Sequence, residues 1–259
     1  MTAGVQHPTA GRVPIDLPSP RAVARVLVIV GAILVGLGIV ASLLERSDLE
    51  IAGRENIITL LSLKSEFNVP TVVSVLWLAA CALLLMLIAA VQRARGDRFV
   101  SRWVLLSGIF LYLALDEGAR LHERLNEPLA ALPFTTGVLR WGWVLVGGLV
   151  VVVLAATYLR FVLALPSPYR TGVVVAGGLY VGGALMMELV GAGVSENSGL
   201  DTPRYLMLTI VEETLELAGI GLFIVVLWSL LRLWAPQMVL RHRPPVEAEP
   251  QRSAVKVDH

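Results

Sequence analysis

Three stretches of this chain run without a charged residue for about the length a helix needs to cross a bilayer, roughly 20 residues at about 1.5 Å each against about 30 Å of hydrocarbon. They are VLVIVGAILVGLGIVASLL at 26–44, TVVSVLWLAACALLLMLIAAVQ at 71–92 and WGWVLVGGLVVVVLAATYL at 141–159. With 56% hydrophobic and 16% charged residues and a mean hydropathy of +0.75, the 259-residue chain is far too apolar for an ordinary soluble domain. Three further apolar runs are interrupted by acid: 103–115 before Asp116, 171–187 before Glu188, and 205–231, which contains Glu212, Glu213 and Glu216. The expectation is an all-α integral membrane protein, a bundle of six transmembrane helices near 26–44, 71–92, 103–125, 141–163, 171–190 and 205–232, together forming a domain over 21–234. Arg21 and Arg25 precede the first run, but its apolar core is too long for a secretory signal and no small-x-small cleavage site follows.

Loop charge orients the bundle. Arg12, Arg21 and Arg25 precede the first span, and Arg93, Arg95, Arg98 and Arg102 join the second to the third. Arg160 and Arg170 flank the next turn on that side, and Arg232, Arg241 and Arg243 follow the last span. Under the positive-inside rule these segments are cytoplasmic, and so are both termini. The loop from Glu45 to Val69, with Glu45, Asp48, Glu50, Glu55 and Glu66 against Arg46, Arg54 and Lys64, is the exported kind. Within it, ENIITLLSLKSEFNVP is too short and polar to span, and is expected to lie in the outer interface or cap the bundle mouth. Residues 1–20 and 235–259, rich in Pro and polar residues, read as disordered cytoplasmic tails. The location expected is a cell membrane, inner or plasma, with the lipid bilayer as the principal partner.

Composition also narrows the chemistry. Cys81 is the sole cysteine and sits in an apolar run, so neither an internal disulfide nor a cysteine metal site is available. Two lysines, Lys64 and Lys256, and four histidines, of which only His122 borders a hydrophobic run, argue against a retinal Schiff base and against bis-histidine haem ligation. There is no Gly-rich phosphate loop, nucleophile elbow or zinc-protease helix, and no basic patch for nucleic acid.

What remains is acid at membrane depth. Counting about 1.5 Å per residue from Arg102 puts Asp116 about 21 Å and His122 about 30 Å from the cytoplasmic edge, with Glu188 about 26 Å from it. Glu212 and Glu216 fall about 12 and 18 Å below the outer boundary, so three helices bring their acids to one level in the outer half of the bilayer. At about 100° per residue, Glu212, Glu213 and Glu216 share one helix face, and Asp116, Glu117, Arg120 and Glu123 share another. His122 falls off that face, so either it meets a different neighbour or the helix ends early and the histidine turns in from a loop. An ionised carboxylate in hydrocarbon costs at least about 2.5–3.5 kcal/mol. Seven acids (Asp116, Glu117, Glu123, Glu188, Glu212, Glu213, Glu216) face Arg120 and Arg124, so protons or a divalent cation must supply the balance.

The candidate cation ligands are Asp116, Glu117, His122, Glu212, Glu213 and Glu216, with Arg120, Glu123 and Glu188 as accessories. A di-metal carboxylate site would add a second histidine and a Glu-x-x-His spacing, which Glu213-x-x-Glu216 does not supply, so a single mixed-ligand cation fits better. Three readings follow: a proton or cation site coupled to transport of a small solute, a metal-dependent hydrolase or oxidoreductase acting on a lipid-like substrate, or a structural subunit whose acids pair helices. Gly178 and Gly182 form a G-x-x-x-G that reads as packing within the chain ahead of a homo-oligomer face. Trp141, Trp143 and Tyr205 read as aromatic-belt anchors, and Ser195, Asn197 and Asp201 as an ordinary polar loop.

Overall fold

The computed structural model describes residues 12–15, 17–63, 68–131, 137–200, 202–236 and 238–241. Lys64, Glu66, Asp201 and most of both terminal segments lie outside them. In chain order the elements are strand β1 (Arg12–Ile15), helices α1 (Pro20–Glu45), α2 (Arg54–Leu61), α3 (Val69–Ala94) and α4 (Val100–Ala119), and the short α5 (Asn126–Leu129). Then come α6 (Trp143–Ala164), α7 (Ser167–Val181), α8 (Glu188–Ser198), α9 (Pro203–Trp234) and strand β2 (Met238–Arg241). A π-helical turn, Gly182–Met187, joins α7 to α8, so that Ser167–Ser198 forms one continuous rod.

Local sequence sets where these helices start. Ser19, Asn68 and Thr202 each turn a side-chain oxygen onto a backbone N–H of the first turn, and each is followed by proline at the first or second helical position, where its missing N–H costs nothing. Arg54 closes the other end of α1, its guanidinium donating to the carbonyls of Leu44, Glu45 and Ser47 at 3.0 to 3.1 Å. Helix α2 begins the segment expected to cap the bundle mouth. Just after it Leu63 fills the notch at Gly38 of α1, where an added Cβ would lie 2.5 Å from the leucine Cγ.

Among the described residues, five helices are long and apolar enough to cross a membrane: α1, α3, α6, the α7–α8 rod and α9. Large apolar side chains cover their outer surfaces, Val28 at 69% exposure and Leu149 at 65% among them, the surface that hydrocarbon solvates. The expected third span corresponds to α4, which ends at Ala119 instead of 125. The expected runs at 141–163, 171–190 and 205–232 are α6, the rod and α9, each longer or shifted at its ends.

Helix α9 is the hub, packed against α1, α3 and α7, while α4 packs on α3. Leu78, Cys81, Leu85 and Ile88 of α3 and Leu227, Leu230 and Leu231 of α9 are at most 1% exposed. Ser107 of α4 donates to the Ala82 carbonyl of α3 at 2.7 Å, and the Tyr158 hydroxyl of α6 to the Arg102 carbonyl at 3.1 Å. Between α4 and α9 the link is aromatic, Phe110 stacked on Phe223 at 4.8 Å. Within the segments read as tails, β1 pairs antiparallel with β2, Arg12 opposite Arg241 and Ile15 opposite Met238. Trp228 and Arg232 of α9 both donate to the Pro18 carbonyl just before α1. The beginning and end of the bundle are thereby held together.

Candidate functional site

The charged stretch after Leu115 is built by stopping α4 early. Arg120 adopts a left-handed backbone, φ 48°, rare for a residue with a Cβ, and the helix cannot continue through it. The chain doubles back, and the Asp116 carboxylate takes hold of it twice. Its Oδ1 accepts the backbone N–H of His122 at 2.8 Å, and its Oδ2 lies 2.6 Å from His122 Nδ1. The sequence placed Arg120 and Glu123 on the same helical face as Asp116. Instead both lie beyond the helix end, where the Arg120 guanidinium pairs with Glu123. The histidine does turn in from a loop.

His122 lies outside the helices. Burial opposes its charged form, but the hydrogen bond and charge of Asp116, with the charges of Glu123 and Glu117, outweigh that and hold its pKa above the usual imidazole range. Its ring packs on Trp143 at 4.4 Å between centroids. The Trp143 backbone N–H donates to Asn126 Oδ1 at 3.2 Å, and its indole N–H to Glu188 Oε1 at 3.4 Å. Trp143 therefore bridges α4's terminal turn and the α7–α8 rod, a larger role than a belt anchor.

Two features that sequence reading missed bring the rod against α9. The π turn adds a residue to one turn of helix and so resets which face Glu188 presents. At Gly183 the two backbones nearly touch: an added Cβ would sit 2.7 Å from Glu216 Cγ and 2.9 Å from the Glu212 carbonyl oxygen. Gly219 does the same from the α9 side, 2.7 Å from the Tyr180 nitrogen and 2.9 Å from the Ala176 oxygen. Gly178 and Gly182, the pair singled out as a packing motif, have no atom within 4 Å of such a Cβ. Packing within the chain falls to the neighbouring glycines instead.

The acids of three elements then share one electrostatic neighbourhood. Glu117 of α4 interacts with His122, Asp116 and Arg120. Glu213 of α9 interacts with Glu117, and Glu212 with Glu188, Glu213, Glu117 and Glu123. The strongest electrostatic neighbours of Glu216 are four carboxylates, Glu213, Glu117, Glu212 and Glu188. Tyr180 and Tyr205 edge the same cluster, the first near Glu216, Glu117 and Asp116, the second near Glu188, Glu212 and Glu123. All six candidate ligands and the three accessory residues thus meet at one end of the bundle. Among the described residues, however, no three His, Cys, Asp or Glu side chains close to metal-ligating spacing. Ser195 and Asn197 donate to carbonyls of their own helix, at Ala192 and Gly193.

Apolar helices of spanning length, a lipid-like outer surface and a polar cluster at one end define an α-helical membrane protein. Residues 22–230 match the family described as a domain of unknown function, DUF8692, and the chain belongs to that family. No curated protein and no solved structure matches it.

Proposed function

We propose that the chain crosses a cell membrane six times with both termini in the cytoplasm, and that its acidic cluster, in the outer half of the bilayer, binds and releases protons in step with movement of a small solute. Pairing of β1 with β2, and of Pro18 with Trp228 and Arg232, supports the topology: ends held side by side require an even number of crossings, so α4 joins the five apolar spans. The arginine-rich turns lie at the same end as that ribbon, which the positive-inside rule makes cytoplasmic.

The observation that carries the functional reading is the electrostatic surrounding of Glu216, four carboxylates contributed by three helical elements. Charge of one sign gathered inside a bilayer needs a counter-charge, and a proton is the smallest. A divalent cation needs several ligands arranged around one ion, whereas a proton needs a single carboxylate, so the proton form asks least of the cluster. Near the cluster, the Asp116–His122 pair offers a relay to water, since imidazole gains and loses protons near neutrality and the Asp116 carboxylate favours its protonated form.

Infrared difference spectroscopy across a pH jump tests the proposal on protein purified in detergent. A protonated-carboxyl C=O band should titrate in the native protein and lose intensity in Glu213→Gln and Glu216→Gln. Proton flux into liposomes under an imposed membrane potential should fall in the same variants. Identical carboxyl bands in native and variant proteins would reject the reading. Changes confined to folding would assign the acids to helix pairing.

A further inference from the structure

We propose that a cavity at the end of the bundle away from the acids binds the ethanolamine phosphate headgroup of a phospholipid. The cavity holds about 260 Å³ and lies between the α3–α4 turn and the α6–α7 turn, at the level where these helices end. Its walls include Trp103, Phe161 and Trp234, with the Trp103 ring 4.7 Å from Phe161 and 5.8 Å from Trp234 in edge-to-face contact. Rings of this kind attract a cation placed against them.

Gln92 identifies which cation. The residue lines the cavity, is only 4% exposed, and donates from Nε2 to Asp97 Oδ2 at 3.4 Å. Its Oε1 is buried and accepts no hydrogen bond. Reversing the amide would aim its oxygen at the Asp97 carboxylate, so the orphan is an acceptor and requires an N–H or O–H donor. Asp97 spends Oδ1 on the backbone N–H of Phe99 at 2.5 Å and retains lone pairs on both oxygens. One carboxylate, one unsatisfied carbonyl and aromatic walls fit a primary ammonium, whose three donors can serve both oxygens. A quaternary ammonium brings no donor and leaves Gln92 unsatisfied.

The rim supplies the other charge. Arg98 is exposed, lines the cavity and rests its guanidinium over the Phe99 ring at 4.6 Å, placed to meet a phosphate. Exposed Leu163 and Leu233 lie one residue from cavity-lining Ala164 and Trp234, so the ligand's tail has an apolar surface to follow into the bilayer. Basic pockets between spanning helices on the cytoplasmic side are established lipid-headgroup sites. Here an added acceptor pair makes the pocket select for a headgroup that carries N–H.

Tryptophan fluorescence reads this directly, because Trp103 and Trp234 form the walls. The full chain in detergent is titrated with short-chain phosphatidylethanolamine, with the matching phosphatidylcholine, and with soluble glycerophosphoethanolamine. The ethanolamine lipid should bind about tenfold or more tightly than the choline lipid, in keeping with one charge-assisted hydrogen bond, and the soluble headgroup more weakly still. Asp97 also holds the start of α4, so the variants are Gln92→Leu and the rim change Arg98→Ala. Each should weaken ethanolamine-lipid binding about tenfold, and Gln92→Leu should also erase the preference over choline. Equal binding of the two lipids would overturn the proposal, as would equal binding of the soluble headgroup. An unchanged affinity in Gln92→Leu would also overturn it, leaving the cavity to water.

Discussion

Helix α9 runs through two regions that solve opposite problems. From Leu217 to Leu231 most of its side chains are sealed, several at 1% exposure or less, against α3 and neighbours that present leucine, isoleucine and aromatic rings. One turn earlier Glu212, Glu213 and Glu216 are only half-buried, packed on a π turn and a glycine, and opposite the polar end of α4. In lipid there is little hydrophobic gain from bringing apolar helices together, so shape complementarity and close packing must hold the sealed region. The acid-bearing region keeps ionisable groups that close apolar packing would exclude. The contrast teaches that a single helix can serve as scaffold over one stretch and carry the chemistry over the next, with the boundary near Leu217.

The sharpest break of that comparison is a cavity in the sealed region. Leu85→Ala or Leu227→Ala, both sites at 0% exposure, should cost about 2–5 kcal/mol in a reversible unfolding titration, with the acid cluster's pH response unchanged in whatever protein folds. Next in size are the glycine contacts. Gly219→Ala would press a methyl onto the backbone of Tyr180 and Ala176, which cannot yield as a side chain could, and should cost about 1–3 kcal/mol. Gly183→Ala should cost about as much, and should in addition disturb the infrared carboxyl signal, because the atoms it displaces belong to Glu212 and Glu216.

A smaller effect is expected at the acid-bearing end itself. Asp116→Asn removes the charge that holds His122 and should cost about 1–2 kcal/mol near neutral pH. The sign of its pH dependence follows from the raised pKa of His122 in the fold. The native pair contributes fully below the unfolded imidazole value of about 6.5, and that contribution fades as pH rises through the higher folded value. Native and Asp116→Asn stabilities should therefore converge on the alkaline side, and a gap that widened there would refute the assignment. Smallest of all is Gly178→Ala. With open space where its methyl would go, it should leave stability unchanged or raise it by up to about 1 kcal/mol, in contrast to Gly219.

Much of the architecture was legible because hydrophobic length speaks directly to where apolar helices lie; the caps at Ser19, Asn68 and Thr202, which start α1, α3 and α9 two to six residues before the expected spans, went unread. Counting rise per residue also brought Glu117, Glu188 and Glu216 toward one another, and in the fold they are electrostatic neighbours. The angular prediction for Arg120 and Glu123 failed, since helical geometry was extended through a residue whose left-handed backbone no pattern of hydrophobicity announces. The G-x-x-x-G at 178–182 misled for a related reason. A motif gives spacing, but which glycine meets a neighbour depends on the phase of the rod, and the π turn immediately after Val181 changes that phase. The bridging role of Trp143 was not legible, because an interfacial tryptophan and a tryptophan bridging His122 to Glu188 have the same sequence context.

The π turn between Val181 and Glu188 acts as a phase slip in a screw thread. A regular helix advances about 100° per residue, so one surplus residue rotates everything beyond it by about that much relative to everything before it. Deleting a single residue from 182–187 would leave the rod's length and greasiness almost untouched. Gly183 and Glu188 would then no longer address α9 and Trp143 together, and a lesion invisible to hydropathy would dismantle the meeting of the three helices.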